Sequence, residues 1–149
     1  IIYLNPNRNL MLNSPKLPTI GSWCLQDRIG SGATSSVYKA INKVSKETAA
    51  VKIFDITDPE EGLLRKAEAE ILEDLEHPNI VRFVSFEENF EIYHKDETTL
   101  QACVLIMEMA SEGEFFNKLE EFGALSETIS RTFFTQIVSA VEYMHSKGV

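Results

Sequence analysis

From Trp23 to Phe54 the pattern of apolar and polar residues predicts short β-strands, and two further apolar strands are predicted downstream. A glycine-containing turn separates the first two runs and a polar turn separates the second from the third, which is typical of an antiparallel meander. The predicted strands cover residues 24–29, 35–42, 49–54, 80–86 and 102–109. The polar segment 87–101 is long for a hairpin loop and is predicted to be an extended connection between the last two strands. Residues 1–20 are rich in Asn and Pro, so we assign them to a leader or linker with no predicted fold.

A helix is predicted between the third and fourth strands. Asp58 suits the N-cap, Pro59 suits the first helical position, and we expect the helix to end at His77-Pro78. Its apolar residues recur at helical spacing and form one stripe, which predicts that this face packs against the strands. The stripe comprises Leu64, Ala67, Ile71, Leu72 and Leu75.

Two more helices are predicted near the end of the chain. A short one begins near Glu114, and a longer one begins at the N-cap Ser126. The apolar stripe of the longer helix comprises Ile129, Phe133, Ile137, Ala140, Val141 and Met144. No downstream residue is available to cover Phe133, Ile137 and Val141, so we expect an exposed apolar patch on this helix.

Composition narrows the class of protein. The 149 residues are 44% hydrophobic and 25% charged, which is ordinary for a soluble globular domain. The net charge of -9 and the lack of a basic block argue against non-specific nucleic-acid binding. The longest apolar run, 103–107, is too short to span a membrane, and no signal peptide is recognised. Cys24 and Cys103 lie far apart, which fits a reducing compartment, so we predict a cytoplasmic protein without nucleic-acid or membrane partners.

The first chemically suggestive feature is the turn at Ile29-Gly30-Ser31-Gly32. A Gly-x-Gly turn between strands lets backbone N–H groups approach an anion without an obstructing Cβ. The same residues also fit an ordinary hairpin turn, so the turn alone does not decide between the two hypotheses.

A lysine and a glutamate strengthen the phosphate hypothesis. Lys52 lies mid-strand on the face shared by Ala50 and Phe54, because strand side chains alternate. Glu68 lies four residues from two leucines of the first helix and so falls on its apolar stripe. Buried charges are costly unless paired, so Glu68 is predicted to hold Lys52 while Lys52 reaches phosphates under the turn. The alternatives are a lysine that snorkels to water and a glutamate at the edge of the stripe that reaches solvent.

Five segments of the chain follow one another in the order and at the spacing of known motifs. They are IGSGATSSV, AVK, EAEILEDLEHPNIV, LIMEMASEGEFF and FFTQIVSAVEYMHSKGV. Together they resemble the eukaryotic protein kinase domain over Leu25 to Val149, and the first two agree with its Gly-x-Gly-x-x-Gly-x-Val loop and Val-Ala-Ile-Lys strand. The segments HPNIV and GEFF are similar to serine/threonine kinases of the calcium/calmodulin-dependent and related groups.

The resemblance implies an α+β fold. We expect a kinase-like small lobe, with a five-stranded antiparallel sheet and one helix, followed by the first helices of a truncated large lobe. The implied division is a leader or linker at 1–20, the small nucleotide-binding lobe at 21–110 and the incomplete beginning of the large lobe at 111–149.

The resemblance also implies an ATP site. Lys52 and Glu68 are the implied catalytic residues, with Lys52 binding the α- and β-phosphates while paired to Glu68. The residues implied to cover the β- and γ-phosphates are Gly30, Ser31, Gly32, Ala33, Thr34 and Ser35. The implied adenine contacts are a roof of Ile29 and Val37 with Ala50 beside it, the gatekeeper Met107, and the backbone of Glu108 and Ala110. Glu114 is implied to contact ribose or a basic substrate residue, and Leu72 and Phe83 to join an apolar spine between the lobes.

Two features depart from the family pattern. Ser35 stands where the third glycine is usual, which stiffens the turn and adds a hydroxyl. The chain ends at Val149, before the family's His-Arg-Asp and Asp-Phe-Gly motifs, so the residues that bind Mg²⁺ are expected beyond it. We therefore expect a fragment of an ATP- and Mg²⁺-dependent serine/threonine protein kinase that does not transfer phosphate by itself. The alternatives are a nucleotide-binding pseudokinase or scaffolding module, and an unrelated strand-rich interaction domain, which the joint order of the motifs disfavours.

Overall fold

The computed structural model describes residues 2–5, 9–12, 19–93 and 99–149. The strands are β1 (Ile2–Asn5), β2 (Asn9–Leu12), β3 (Thr19–Ile20), β4 (Trp23–Ser31), β5 (Ser35–Asn42), β6 (Thr48–Ile56), β7 (Phe83–Tyr93) and β8 (Thr99–Glu108). The helices are α1 (Pro59–Glu73), α2 (Phe115–Phe122) and α3 (Glu127–Ser146). The predicted strands correspond to β4 through β8 and the predicted helices to α1 through α3, so the predicted α+β fold is confirmed.

The described strands form one sheet in the order β1-β2-β7-β8-β6-β5-β4-β3. Strands β4 to β8 pair antiparallel, as predicted, whereas β2 runs parallel to β7. The sheet has three strands more than predicted, and all of them lie within residues 1–20, whose composition predicts no fold. Pairing with β4 and β7 holds β3 and β2 in place, and such tertiary pairing leaves little trace in local sequence.

The sheet buries apolar side chains on both faces. One face carries a core that includes Leu25, Ala40, Val51, Ile53, Val104 and Ile106. On the opposite face, Phe54 and Leu105 pack against Ala69 of α1. Because strand side chains alternate, Ala50 and Lys52 lie on the same face as Phe54. The residues of β6 implied to bind ATP therefore point to the side of the sheet that α1 covers.

The segment 87–101 is mostly strand, which corrects the prediction of an extended connection. Strands β7 and β8 extend into it from both sides, and residues 94–98 lie outside the described part of the chain. The β7–β8 register shifts between Glu87 and Phe90, and Asn89 has a φ of 56°, a value that Asn tolerates better than most residues. This bulge interrupts the apolar alternation that would have revealed the strand, although Phe90 is buried in the core.

Helix α1 begins as predicted. Asp58 Oδ1 accepts a hydrogen bond from the Glu60 N–H at 2.9 Å, and Pro59 takes the first helical position. The carboxylate thus satisfies one of the backbone donors that a helix leaves unpaired at its start. The helix ends at Glu73, short of the predicted end at His77.

The face of α1 that packs on the sheet differs from the predicted stripe. Leu64 and Ile71 are 64% and 46% exposed and Ala67 is exposed too, so this part of the prediction is wrong. The last two residues of the stripe, Leu72 and Leu75, do pack inward, and the buried residue of α1 is Ala69, which is 2% exposed. A small side chain there lets the helix lie close to the sheet. With the Ala69 face of the helix turned to the sheet, Glu68 reaches Lys52 of β6.

Helix α2 begins directly after Glu114, near which its start was predicted, and α3 begins at its predicted N-cap, Ser126. Ser126 Oγ accepts a hydrogen bond from the Ile129 N–H at 3.4 Å. The ring centroids of Phe115 and Phe133 lie 4.6 Å apart, and this contact packs α2 against α3.

The apolar patch expected on α3 is present. Phe133, Ile137 and Val141 are 38%, 59% and 37% exposed, whereas Ala140 is buried. The helix therefore turns most of its apolar stripe toward solvent in this chain.

Candidate functional site

The glycine turn connects β4 and β5 tightly. The Gly32 N–H donates to the Ser35 carbonyl oxygen at 2.8 Å, and Gly30 pairs with Val37 across the hairpin. A Cβ at residue 32 would lie 3.2 Å from Ser35 Oγ, so a larger residue there would push the serine aside. Residues 31–34 are exposed, which leaves their backbone open to a ligand.

The outer end of β6 supports this turn. The Asp55 N–H donates to the Thr34 carbonyl oxygen at 3.0 Å, which ties the tip of the hairpin to β6. The turn is therefore anchored at one backbone point while its exposed side stays accessible, an arrangement suited to a loop that closes over a bound anion.

The predicted adenine-side residues share one face of the sheet. In the β-ladders Lys52 lies opposite Val37, and Ala50 lies opposite Met107. Residues directly opposite one another in neighbouring strands point to the same face. Ala50 is buried and the other three are half-buried, so the structure brings these four side chains together below the β4–β5 hairpin. Ile29, the other half of the implied roof, is 48% exposed.

Lys52 and Glu68 meet as the sequence predicted. Lys52 Nζ lies 3.3 Å from Glu68 Oε1, and the side chains are 28% and 41% exposed. The ammonium also lies 4.5 Å from the centroid of the Phe54 ring. The pair thus joins the middle of β6 to α1, and its partial exposure leaves Lys52 within reach of a ligand.

A second cation, which was not predicted from the sequence, contacts this carboxylate. Arg65 Nη1 lies 3.4 Å from Glu68 Oε2, and the Arg65 guanidinium carbon lies 4.8 Å from the centroid of the Phe54 ring. The spacing of three residues on one helix, which brings side chains together, is the signal that could have found it.

The far end of the site is the end of β8, which two hydrogen bonds hold. The Glu108 N–H donates to the Arg82 carbonyl oxygen at 2.8 Å, and Glu108 Oε2 accepts from the Arg82 N–H at 3.1 Å. The side chain of Glu108 therefore fixes the end of β8 against residue 82, a contact that the sequence did not reveal. Ala110 and Glu114 lie exposed beyond this end, and Glu114 makes no capping hydrogen bond with its side chain.

A cavity of about 620 Å³ lies next to this strand end. It lies between residues 78–81, the segment 108–113 and the helices α2 and α3. It shares Glu108 and Ala110 with the implied ATP site but contains neither the glycine turn nor Lys52. This cavity therefore does not coincide with the implied ATP site.

Among the described residues, no group of three or more His, Cys, Asp or Glu side chains is placed to hold a metal ion. The expectation that Mg²⁺ ligands lie beyond Val149 stays a prediction. None of the three described helices is both long and apolar enough to cross a membrane.

Relatives of the chain are protein kinases. The chain is 39% identical over 132 residues to the probable serine/threonine-protein kinase MARK-A of Dictyostelium discoideum and 37% identical over 128 residues to NUAK family SNF1-like kinase 1 of Homo sapiens. It is 33% identical over 140 residues to CBL-interacting serine/threonine-protein kinase 12 of Arabidopsis thaliana. These matches cover 87%, 84% and 92% of this chain but 12%, 18% and 26% of the relatives' own lengths.

A solved structure shares the fold. The crystal structure of Rad53 residues 1–466 in complex with AMP-PNP matches with a TM-score of 0.70 at 31% identity, covering 86% of this chain and 31% of that one. Assignment to the calcium/calmodulin-dependent group stays a prediction. Residues 23–149 match the protein kinase domain family, and the chain therefore belongs to that family.

Proposed function

We propose that this chain is the ATP-binding portion of a serine/threonine protein kinase that transfers the γ-phosphate of ATP to protein hydroxyls. The observation that carries the proposal is the pair of Lys52 and Glu68 at 3.3 Å on the face of the sheet below the glycine turn. A half-exposed ammonium held by a carboxylate beneath an exposed glycine turn fits a polyphosphate better than it fits a purely structural ion pair.

The residues around the pair support distinct roles. Val37 and Ala50 offer small apolar surfaces for the adenine, and Met107 closes the back of the same face. The exposed backbone of 31–34 faces the phosphates, and Ser35 adds a hydroxyl beside Gly32. Residue 32 contributes no side chain to nucleotide binding, because it is a glycine and a Cβ there would crowd the turn.

ATP supplies the phosphoryl group when bound. Lys52 stabilises negative charge on the phosphates through direct contact, and Glu68 keeps that ammonium in place and oriented. The apolar walls exclude water from the adenine side, and the glycine turn covers the phosphates.

The polypeptide of 149 residues contains neither a His-Arg-Asp nor an Asp-Phe-Gly sequence. We infer that it binds nucleotide but does not transfer phosphate by itself, because the base and the Mg²⁺ ligands of the reaction come from those motifs. The division at 21–110 and 111–149 is proposed to separate the small lobe from the start of the large one, and we propose the cytoplasm as the compartment.

Equilibrium binding of a fluorescent ATP analogue tests the proposal. Lys52→Met is expected to weaken binding about tenfold or more, because a charged phosphate contact is lost. Lys118→Met, on the exposed surface of α2, is the matched control and is expected to bind normally. Equal binding by the Lys52→Met variant would overturn the ATP site. Phosphotransfer by the full-length protein that contains this chain, abolished by Lys52→Met, separates a kinase from a nucleotide-binding pseudokinase.

A further inference from the structure

Arg65 and Lys52 hold the same carboxylate from two sides. Arg65 Nη1 lies 3.4 Å from Glu68 Oε2, while Lys52 Nζ lies 3.3 Å from Glu68 Oε1. Each cation uses its own oxygen, so neither displaces the other. A carboxylate held at both oxygens is fixed in orientation as well as in position.

The Phe54 ring forms a common floor for both cations. Lys52 Nζ and Arg65 Cζ lie 4.5 Å and 4.8 Å from its centroid, within the range of cation–π attraction. Phe54 is 2% exposed and packs between the sheet and α1, so the ring itself is held rigidly. The ring therefore restrains the arginine side chain that would otherwise move freely along the helix surface.

We propose that Arg65 is a positioning residue that keeps Glu68 turned toward Lys52. The Glu68 side chain is 41% exposed, so without a second cation it is free to rotate into water. Lys52 would then lose its fixed partner. This inference rests on the proposed function of Lys52 in binding nucleotide, but the restraint on Lys52 is measurable without nucleotide.

The nucleotide-free test is the rate at which acetic anhydride acylates Lys52, followed by mass spectrometry and normalised to Lys118. Arg65→Met is expected to raise that rate about threefold, because Lys52 spends more time apart from Glu68, where its deprotonated amine can attack the anhydride and release acetate. Arg65→Lys keeps the charge but not the planar fork and is expected to give an intermediate rate. Arg131→Met, which breaks an exposed ion pair with Glu127 on α3, is the matched control and leaves the rate unchanged.

The same substitution of Arg65, made in the Glu68→Gln variant, shows whether Arg65 acts through Glu68. Glu68→Gln alone is expected to speed acylation of Lys52, and Arg65→Met is expected to add nothing to it. Affinity for the fluorescent ATP analogue should fall about threefold with Arg65→Met and remain unaffected by that change in the Glu68→Gln background. A purely structural role for Arg65 predicts equal effects in both backgrounds.

The outcomes separate the two proposals. Unchanged or slower acylation in Arg65→Met, or an equal effect in the Glu68→Gln background, overturns the positioning role. Faster acylation in Arg65→Met with normal nucleotide binding by Lys52→Met overturns the ATP site instead and leaves the restraint on Lys52 standing. Circular dichroism of each variant confirms that the fold is retained.

Discussion

His77 and Tyr143 stack with ring centroids 5.2 Å apart and an angle of 26° between the rings, joining the turn after α1 to α3. Tyr143 Oη accepts a hydrogen bond from the Glu76 N–H at 3.0 Å. His77 Nδ1 accepts from the Asn79 N–H at 3.1 Å, so in the neutral ring Nε2 carries the proton and donates to Ser139 Oγ, also at 3.1 Å. These contacts connect the part of the chain assigned to the small lobe with the part assigned to the large one.

Tyr143→Phe tests this connection, because it removes the acceptor of the Glu76 N–H and keeps the stacked ring. We expect the Glu76 amide to exchange with deuterium about fivefold faster, which corresponds to about 1 kcal/mol for a lost hydrogen bond. Tyr38→Phe, on β5 and remote from the turn, is the control and should leave that amide unchanged. Identical exchange in Tyr143→Phe would show that the hydroxyl contributes nothing to the connection.

Crowding at the glycine turn gives a paired prediction. Gly32→Ala is expected to lower the melting temperature by a few degrees, about 0.5–1 kcal/mol, because the new Cβ meets Ser35 Oγ at 3.2 Å. Ser35→Ala removes that oxygen, so the double variant should recover most of the loss. If Ser35→Ala gives no recovery, the cost of Gly32→Ala arises elsewhere than in this contact.

Ala69 and Ala67 lie on opposite sides of α1 and provide a matched pair. Ala69 is 2% exposed, so Ala69→Leu places a side chain that is too large between α1 and the sheet. It should lower the free energy of unfolding by about 1–3 kcal/mol. Ala67→Leu, on the exposed face, should change it by less than about 0.5 kcal/mol. Chemical denaturation measures both. The reverse order would restore the stripe that the sequence predicted as the packed face.

The contrast between these alanines shows why the strands and helix starts could be predicted and the packed face of α1 could not. Strand alternation and the cap at Asp58 are local, so the sequence carries them directly. The packed face of α1 depends on what the sheet presents to it. A small residue such as Ala69 gives a weak hydrophobic signal although it is buried, whereas Leu64, which gives a stronger signal, faces solvent.

The contacts of the candidate site also divide into those that the sequence predicted and those that it did not. The pairing of Lys52 with Glu68 follows from two periodicities, alternation in β6 and the turn of α1, and the sequence predicted it. The contact of Arg65 with the second oxygen of Glu68 follows from a spacing of three residues on one helix, which the sequence contains. The contact that Lys52 and Arg65 share with the Phe54 ring depends instead on how closely the helix approaches the sheet. No periodicity encodes that distance.

Cys103 gives a prediction about pH. Burial raises the pKa of its thiol above the ordinary value of 9.0, and the residue is 4% exposed. The folded protein should therefore alkylate at the half-buried Cys24 first and at Cys103 only on unfolding. The unfolded chain loses the Cys103 proton at lower pH than the folded one, so this contribution to stability is present below about pH 9 and is lost as the pH rises further. Cys103→Ala should flatten that decline, and an unaltered decline would assign it to other groups.

The row of exposed apolar residues on α3 predicts how the polypeptide associates in solution. Its members recur every four residues and lie on one side of the helix: Ile129, Phe133, Ile137 and Val141 are 47%, 38%, 59% and 37% exposed. A contiguous apolar surface of this kind drives association in water, so the 149-residue polypeptide should self-associate and bind a hydrophobic dye.

Ile137→Glu places a charge at the most exposed member of that row and should reduce both self-association in sedimentation and dye fluorescence, with helix content retained in circular dichroism. Val44→Glu is the matched control, because Val44 is 84% exposed but stands alone in the turn between β5 and β6. A single apolar side chain on a polar turn offers no continuous surface, so this change should leave both signals unaltered. If the wild-type chain is monomeric and does not bind the dye, or if Val44→Glu has an equal effect, the row on α3 does not form an associating surface.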